Sequence, residues 1–200
     1  MPLLNQKNLE IALQRLRAQK TYSNFLEQYP TDAHSASFIL NLAFIDGNIE
    51  SRKVADFGAG NGIFSVGSAM LGAATVYSVE IDPALISILR ENSSGFGITI
   101  INASVADFKD RVDTVVMNPP FGSVKRGADF KFMEKAVEVS NFIYSLHNSK
   151  SREFVRNFYE SAGEIFRMVE MQIRVARIYP HHRHDYDTID STLFCVKVSR

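Results

Sequence analysis

One pattern runs from residue 53 to about residue 160: a short apolar run, a turn rich in glycine or polar residues, then apolar residues at helical spacing. Strands that alternate with helices along a chain pair in parallel and are covered by helices on both faces. The pattern therefore predicts an α/β fold with a doubly wound, mostly parallel sheet. The predicted strands lie at 54–57, 75–79, 98–101, 112–117 and 141–146, and the helices at 63–71, from 82 onward, 130–139 and 152–159.

Both ends of the chain depart from this alternation. Leucines spaced three and four apart predict an amphipathic helix over 9–16, and a second helix is expected to begin at Thr31 or Asp32 and to end near residue 45. Near the carboxyl end, residues 165–178 and 188–198 alternate enough to predict two long antiparallel strands. We therefore expect a hairpin that closes the parallel sheet.

Composition narrows the possible functions. Lys and Arg total 22, as do Asp and Glu, so no overall field attracts nucleic acid, and local patches or a partner must supply any such binding. The single cysteine, Cys195, lies in an apolar run, which predicts a buried thiol and excludes an intramolecular disulfide or a multi-cysteine zinc site. Charged residues recur too often for a signal peptide or an apolar membrane span, so we expect a soluble, cytoplasmic protein.

A glycine-rich turn directly follows the first predicted strand, with the sequence Asp56-Phe57-Gly58-Ala59-Gly60-Asn61-Gly62. Glycines at alternate positions let the backbone turn tightly and lie against a ligand. A dinucleotide fingerprint would need glycine at position 63, where this chain has Ile63, and this mismatch argues against a nicotinamide cofactor. Taken alone, the segment could also be an ordinary turn.

A carboxylate at the end of the second predicted strand, Glu80, lies about 20 residues beyond the glycine turn. A carboxylate at this position can accept hydrogen bonds from both ribose hydroxyls of a nucleoside, and the adjacent Ile81 can cover an adenine face. Asp82 could contact the ligand or cap the helix that begins at Pro83.

The third feature is Asn118-Pro119-Pro120-Phe121 after the fourth predicted strand. The two prolines have fixed φ and no N–H group, so this stretch presents its carbonyls rigidly. Asn118 Oδ1 and the Pro119 carbonyl would be two acceptors for the hydrogens of one amino group, and Phe121 would stack on the planar ring that carries it. An ordinary turn after a strand would need one proline at most.

In this order, the three features resemble the class I S-adenosylmethionine-dependent methyltransferases that modify planar amino nitrogens. Segments 26–31, 69–73, 117–122, 144–147 and 151–153 further resemble the archaeal and eukaryotic small-subunit ribosomal RNA adenine-N6 methyltransferases. The resemblance covers about residues 20–160. It implies a Rossmann-like methyltransferase sheet in a single domain over 1–200, with a helical extension at 1–50 and the catalytic core at 51–200.

The resemblance implies S-adenosyl-L-methionine as the cofactor and no metal. It assigns catalysis to Asn118, Pro119, Pro120 and Phe121. It assigns cofactor binding to Gln28 and Thr31 at the methionine end, and to Asp56, Gly58, Gly60, Asn61, Gly62, Glu80, Ile81, Ser104 and Asn118. One position departs from the class, because Ser104 lies where many members have an aspartate that binds the cofactor adenine; either Ser104 or Asp107 could take that role, and Asn102 could help.

The resemblance also implies RNA, and most readily ribosomal RNA, as the substrate. Relatives of this kind pair with a small zinc-binding activator protein that adds a strand to a sheet edge, and we expect the strand at 98–101 to be that edge. Candidate RNA contacts are Lys7, Arg15, Arg17, Lys20, Lys125, Arg126, Arg174, Arg177 and the run 181–184. The histidines in that run are interpreted as a solvated loop rather than as a metal site.

Other functions remain open at this point. A protein-glutamine or DNA-adenine methyltransferase would use the same chemistry, although the former usually has tyrosine where Phe121 lies and the latter needs a recognition domain for which the chain has no room. A non-catalytic RNA-binding factor on the same fold is another class of function. The retained Gly58, Gly60, Glu80 and Asn118 argue against it.

Overall fold

The computed structural model describes residues 5–18, 31–120, 128–176 and 186–199. The helices are α1 (Gln6–Leu13), α2 (Ala33–Ile45), α3 (Ile63–Met70), α4 (Pro83–Asn92), α5 (Ala128–Val139) and α6 (Arg152–Ala162). The strands are β1 (Lys53–Phe57), β2 (Thr75–Glu80), β3 (Thr99–Asn102), β4 (Thr114–Met117), β5 (Phe142–Asn148), β6 (Gly163–Ala176) and β7 (Tyr186–Val198). Two short 3₁₀ helices lie at Val105–Asp107 and Ser149–Ser151.

The described strands form one seven-stranded sheet in the order β3-β2-β1-β4-β5-β7-β6. The first five are parallel, whereas β7 is antiparallel to both β5 and β6. This confirms the doubly wound, mostly parallel sheet that a hairpin closes. It also places β3 at one edge of the sheet, as expected for the strand at 98–101, and β6 at the other.

Helices cover both faces of the sheet because each parallel strand has apolar residues on both sides. On one face, α1, α2 and α3 pack against Val54, Val116 and Tyr144. On the other, α5 and α6 pack against Ala55, Val115 and neighbouring residues. Cys195 is fully buried in the first of these cores, as predicted, and burial raises the pKa of its thiol to about 12.

Helix caps predicted from the sequence have the expected geometry. The Asp32 carboxylate accepts a hydrogen bond from the Ser35 N–H at 3.0 Å and so begins α2, which ends where Gly47 adopts a φ of +75°. Asp82 caps α4 by accepting from the Ala84 N–H at 2.9 Å, with Pro83 as the first helical residue. Of the two roles considered for Asp82, the structure therefore shows the cap.

The carboxyl ends of the parallel strands form one edge of the sheet, called here the upper edge. Helices α5 and α6 both begin at that edge and run away from it. The Val139 carbonyl, at the end of α5, accepts from the N–H of Val112, just before β4 begins. The Ala162 carbonyl, at the end of α6, accepts from Ser199, beyond the last residue of β7. The first turns of α5 and α6 therefore lie at the upper edge.

No helix in the described ranges is long and apolar enough to cross a membrane.

Candidate functional site

The glycine turn lies at the upper edge between β1 and α3 and closes onto β2. Gly58, Gly60 and Gly62 have φ of +72°, +56° and +87°, conformations that L side chains rarely adopt. The N–H groups of Gly58 and Ala59 both donate to the Val79 carbonyl, at 2.9 and 3.0 Å. A Cβ on Gly62 would lie 2.6 Å from Leu89 Cδ1, whereas one on Gly60 would meet nothing closer than 4.0 Å. The turn thus needs Gly62 for packing and leaves Gly60 accessible to a ligand.

Asp56 is the last residue but one of β1, just before this turn, and is 1% exposed. Its Oδ2 accepts from Ser65 N–H at 2.9 Å and from Ser65 Oγ at 2.6 Å, and Oδ1 is buried with no hydrogen-bond partner among the described residues. Burial, helped to a small extent by the nearby Glu80 carboxylate, raises the pKa of Asp56 to about 7. The hydrogen bonds from Ser65 act in the opposite direction and lower it. An unpaired carboxylate oxygen here fits a cofactor that carries positive charge.

Glu80, at the end of β2, joins two segments of backbone. Its Oε2 accepts from the Gly60 N–H at 2.8 Å, and its Oε1 accepts from the Asp82 N–H at 2.8 Å. The side chain is 5% exposed, and burial raises its pKa against the lowering effect of these two N–H groups. The carboxylate therefore holds the glycine turn against the end of β2, while Ile81 next to it is 59% exposed.

An asparagine on β3 fixes the backbone around that carboxylate. Asn102 Nδ2 donates to the carbonyls of Glu80 and Ile81, at 2.9 and 3.3 Å. The next backbone N–H, from Ala103, also donates to the Glu80 carbonyl at 3.1 Å. From the sequence, Asn102 was considered only as a possible additional contact to the cofactor. Its contacts with the end of β2 could not be predicted, because sequence spacing does not show which backbone groups its amide reaches.

The two candidates for the adenine contact differ in the structure. Ser104 is partly buried and begins the 3₁₀ helix Val105–Asp107, where its hydroxyl accepts from the Ala106 N–H at 3.3 Å. Asp107 is exposed at the end of the same short helix. Ser104 therefore lies nearer to the end of β3, although one of its acceptor sites already binds the local backbone.

Asn118 follows β4 at the upper edge and contacts the start of the second helical segment. Its Nδ2 donates to Thr31 Oγ1 at 2.9 Å, although the two residues are 87 positions apart in the sequence. Thr31 is 8% exposed. The resemblance assigned Thr31 to the cofactor; in the structure its hydroxyl also accepts this hydrogen bond and so orients the Asn118 amide. Pro119 is buried and Pro120 half-buried.

The segment after α1 is attached to the glycine turn through Asn61 and Asn92. Asn92 Nδ2 donates to the carbonyls of Arg17 and Asn61, at 3.0 and 2.8 Å, and its Oδ1 accepts from the Arg17 N–H at 2.9 Å. Asn61 Nδ2 also donates to the Arg17 carbonyl, at 3.3 Å. Asn61 was predicted to bind cofactor, and this hydrogen bond shows that its amide also contacts the chain itself. Nothing in the sequence pattern indicated Asn92.

Some predicted residues lie outside the described ranges: Gln28, Phe121, Lys20, Lys125, Arg126, Arg177 and the run 181–184. Of the remaining basic candidates, Arg174 has its backbone N–H bound to Asp32 Oδ2 at 3.1 Å. In the part of the chain that the structure describes, no three His, Cys, Asp or Glu side chains are grouped so that they could hold a metal ion.

The strand order, the reversed β7 and the glycine turn closed by a carboxylate at the end of β2 define a Rossmann-like methyltransferase domain. The proposed RNA methyltransferase PH1948 of Pyrococcus horikoshii superposes with a TM-score of 0.90, at 36% identity over 98% of each chain. Residues 31–119 match the family model for ribosomal protein L11 methyltransferase.

Two curated relatives carry a more specific description. The rRNA N(6)-adenosine-methyltransferase METTL5 of Danio rerio is 33% identical over 162 residues, which are 75% of this chain and 77% of that protein. The protein of the same description in Drosophila melanogaster is 29% identical over 95% of each chain. The chain belongs to the METTL5 family of rRNA N6-adenosine methyltransferases.

Proposed function

We propose that this protein transfers a methyl group from S-adenosylmethionine to the N6 amine of an adenosine in ribosomal RNA. The observation that carries the proposal is the placement of Asn118 at the upper edge, its amide oriented by Thr31, in a chain of the METTL5 family.

The residues present fit the cofactor. When bound, S-adenosylmethionine supplies an activated methyl group on a positively charged sulfur. Glu80 would hold the ribose hydroxyls, the backbone at Gly58 and Gly60 would lie against the cofactor, and Asp56 would offset its positive charge. Gln28, Thr31, Asn61, Gly62, Ile81, Ser104 and Asn118 remain the further cofactor contacts that we propose.

Catalysis in this proposal rests on orientation. The N6 lone pair of adenine is conjugated into the ring, so the amine is a poor nucleophile. Because Asn118 Nδ2 donates to Thr31, the amide turns its oxygen away from the threonine. That oxygen and the Pro119 carbonyl would accept both N–H bonds, direct the lone pair toward the methyl group and stabilise the developing positive charge. Pro120 keeps this backbone rigid, and Phe121 would stack on the base.

No general base is required at the transfer step. An asparagine amide cannot accept the proton, so the methylated nitrogen loses it to water after transfer. The adenosine must be unstacked to reach the site, which favours a single-stranded or flipped-out nucleotide.

The test uses small-subunit ribosomal RNA transcribed without modification, incubated with the protein and labelled S-adenosylmethionine, then digested to nucleosides for mass spectrometry. We expect N6-methyladenosine from the wild type and a fall in kcat/KM of about 100-fold or more for Asn118→Ala. Asn141→Ala, at the amino end of β5, is the matched control and should behave as the wild type. Cofactor binding without any methylated nucleoside would contradict the proposal.

A protein substrate is the second candidate, because residues 31–119 match a family model named for a ribosomal protein methyltransferase. The matched segment contains β1 to β4 and therefore the cofactor-binding half of the fold. The same assay separates the two candidates when ribosomal proteins are included: label in protein rather than in nucleosides would favour this second function.

We also propose that a small zinc-binding activator protein adds a strand to β3. The support is that β3 is an edge of the sheet, with Ile100 and Ile101 half-buried and the flanking Thr99 and Asn102 exposed. Hydrogen exchange with and without such a partner should show new protection over 99–102. Strand β6, the other edge, is the internal control, and protection there instead would contradict this placement.

A further inference from the structure

Two aromatic side chains lie in matching positions at the upper edge. Phe130 is the third residue of α5 and Phe154 the third residue of α6, and both helices begin at that edge. Phe132, two residues further along α5, packs directly against the glycine turn, since a Cβ on Gly58 would be 3.1 Å from its ring. Phe130 and Phe154 therefore lie at the same edge of the sheet as the proposed active site, on the face that α5 and α6 cover.

The two rings contact each other, and a third aromatic ring packs against Phe130. Their centroids are 6.2 Å apart with planes tilted by 48°, and Phe158, one turn along α6, packs edge-on against Phe130 at 5.4 Å. Phe130 is partly buried by this contact, whereas Phe154 is 50% exposed. The ring of Phe154, supported by Phe130, thus presents an exposed aromatic surface at the upper edge.

Exposure of one apolar side chain has no meaning by itself. Phe96 shows this, because it is 40% exposed in the turn between α4 and β3. What distinguishes Phe154 is the supporting ring of Phe130, its place at the same edge of the sheet as the active site, and two exposed lysines, Lys131 and Lys150, next to the two first turns. Glu153 is exposed there too, so the surface is not uniformly basic. Stacking rather than charge must supply most of any binding energy.

We propose that the pair Phe130–Phe154 is a stacking platform for an unpaired base that neighbours the target adenosine in the RNA. Single-stranded RNA is recognised in this way, because every base has a face that can stack on an aromatic ring. Lys131 and Lys150 lie where they can neutralise flanking phosphates. The proposal rests on the proposed function, since it assumes that RNA enters at the upper edge.

The experiment compares four variants: Phe154→Ala, Phe154→Leu, Phe154→Tyr and, as the matched control, Phe96→Ala. Each is titrated with a fluorescently labelled, adenosine-rich single-stranded RNA of twelve nucleotides, and each is assayed for kcat/KM on the ribosomal RNA transcript. Loss of one stacked base should weaken RNA binding at least about five-fold. We expect this loss in the alanine and leucine variants and recovery in the tyrosine variant. Phe96→Ala should match the wild type, and the affinity for S-adenosylhomocysteine should be unchanged throughout.

Two results would overturn the platform. RNA binding by Phe154→Ala within two-fold of the wild type would show that the ring contributes nothing. Full recovery by leucine would show that apolar contact, not stacking, is involved. In both cases the wild type would still methylate RNA, so the proposed function would stand, whereas a wild type that neither binds nor methylates RNA would end both.

Discussion

At the scale of single residues, amide side chains do much of the work of assembling the site. Asn92, Asn102 and Asn118 each join segments that are far apart in the sequence, by 75, 22 and 87 positions. The roles of the carboxylates and glycines could be predicted, because they depend on short sequence spacings directly after strands. The asparagine contacts could not, because an amide binds any nearby backbone group and only the folded chain determines which one.

The contact between Asn102 and β2 gives a first prediction. Asn102→Ala removes two hydrogen bonds from the carbonyls of Glu80 and Ile81, so the Glu80 carboxylate should become less well positioned for a ribose. At about 1 kcal/mol per bond, we expect S-adenosylhomocysteine affinity to fall roughly five- to thirty-fold by titration calorimetry. Asn157→Ala, on an exposed part of α6, is the control. Unchanged affinity in Asn102→Ala would show that the amide is only structural.

Buried Asp56 gives a prediction about pH. Its pKa is raised to about 7 in the folded protein, from 3.8 for an ordinary aspartate, so between these values the folded state holds the proton more tightly. As pH rises from about 4 to about 7, this group therefore lowers the free energy of unfolding by at most about 1.4 kcal/mol per pH unit. Above that range its contribution no longer changes with pH. Asp56→Asn should remove this contribution.

Urea unfolding of wild type and Asp56→Asn at pH 5, 6, 7 and 8 measures that difference. The free energy of unfolding of the wild type should fall relative to the variant between pH 5 and 7, and the two curves should run parallel from pH 7 to 8. Parallel curves over the whole range would mean that Asp56 is ionised in the folded protein.

At the scale of elements, the sequence predicted every described strand and α-helix to within a few residues, but neither of the two short 3₁₀ helices. Hydrophobic period and the residues at the ends of elements account for this success. Strands are short apolar runs, Asp32 caps the start of α2, Pro83 begins α4, and α2 ends just before Gly47. The sequence did not predict how closely helices approach each other, because that depends on which side chains meet. Helices α2 and α3 are an example, since they pack together on one face of the sheet.

Gly67 in α3 tests that close approach. In an exposed helix, Gly→Ala stabilises by about 1 kcal/mol, but a Cβ at Gly67 would lie 2.3 Å from Leu40 Cδ1 on α2. We therefore expect Gly67→Ala to lower the free energy of unfolding by about 1–3 kcal/mol in urea denaturation. A Leu40→Ala background lacks the Leu40 side chain that the new Cβ would meet. In that background, Gly67→Ala should leave the free energy of unfolding almost unchanged or raise it. An equal cost in both backgrounds would contradict the close contact.

At the scale of the whole molecule, one polar cluster connects the helical layer to the hairpin. Asp46, at the end of α2, accepts from Arg167 on β6 at 2.7 and 3.1 Å, and from the Tyr144 hydroxyl on β5 at 2.8 Å. Asn48 Nδ2 donates to the same hydroxyl at 2.9 Å. Asp46 is largely buried, so these bonds are partly shielded from water. The cluster thus joins α2, β5 and β6, which are separated by about 120 residues of chain.

Arg167→Met tests this connection. Loss of the paired guanidinium leaves the Asp46 carboxylate partly buried with fewer donors, and we expect the free energy of unfolding to fall by about 1–2 kcal/mol, a value reduced because Arg167 is partly exposed. Arg156→Met, which breaks a surface pair with Glu160 within α6, is the matched control and should unfold as the wild type does. Equal effects of the two substitutions would mean that the cluster adds nothing.

The position of β7 between β5 and β6 has a consequence for biosynthesis. Among the described strands, β6 hydrogen-bonds only to β7, and β7 is the last of them to leave the ribosome. Until β7 emerges, β5 is an unpaired edge that carries Ile143, Tyr144 and Leu146, and β6 has no place in the sheet. A nascent chain of this length exposes an apolar strand edge, which is a site for aggregation and for chaperones. The sheet therefore cannot close until β7 has been synthesised.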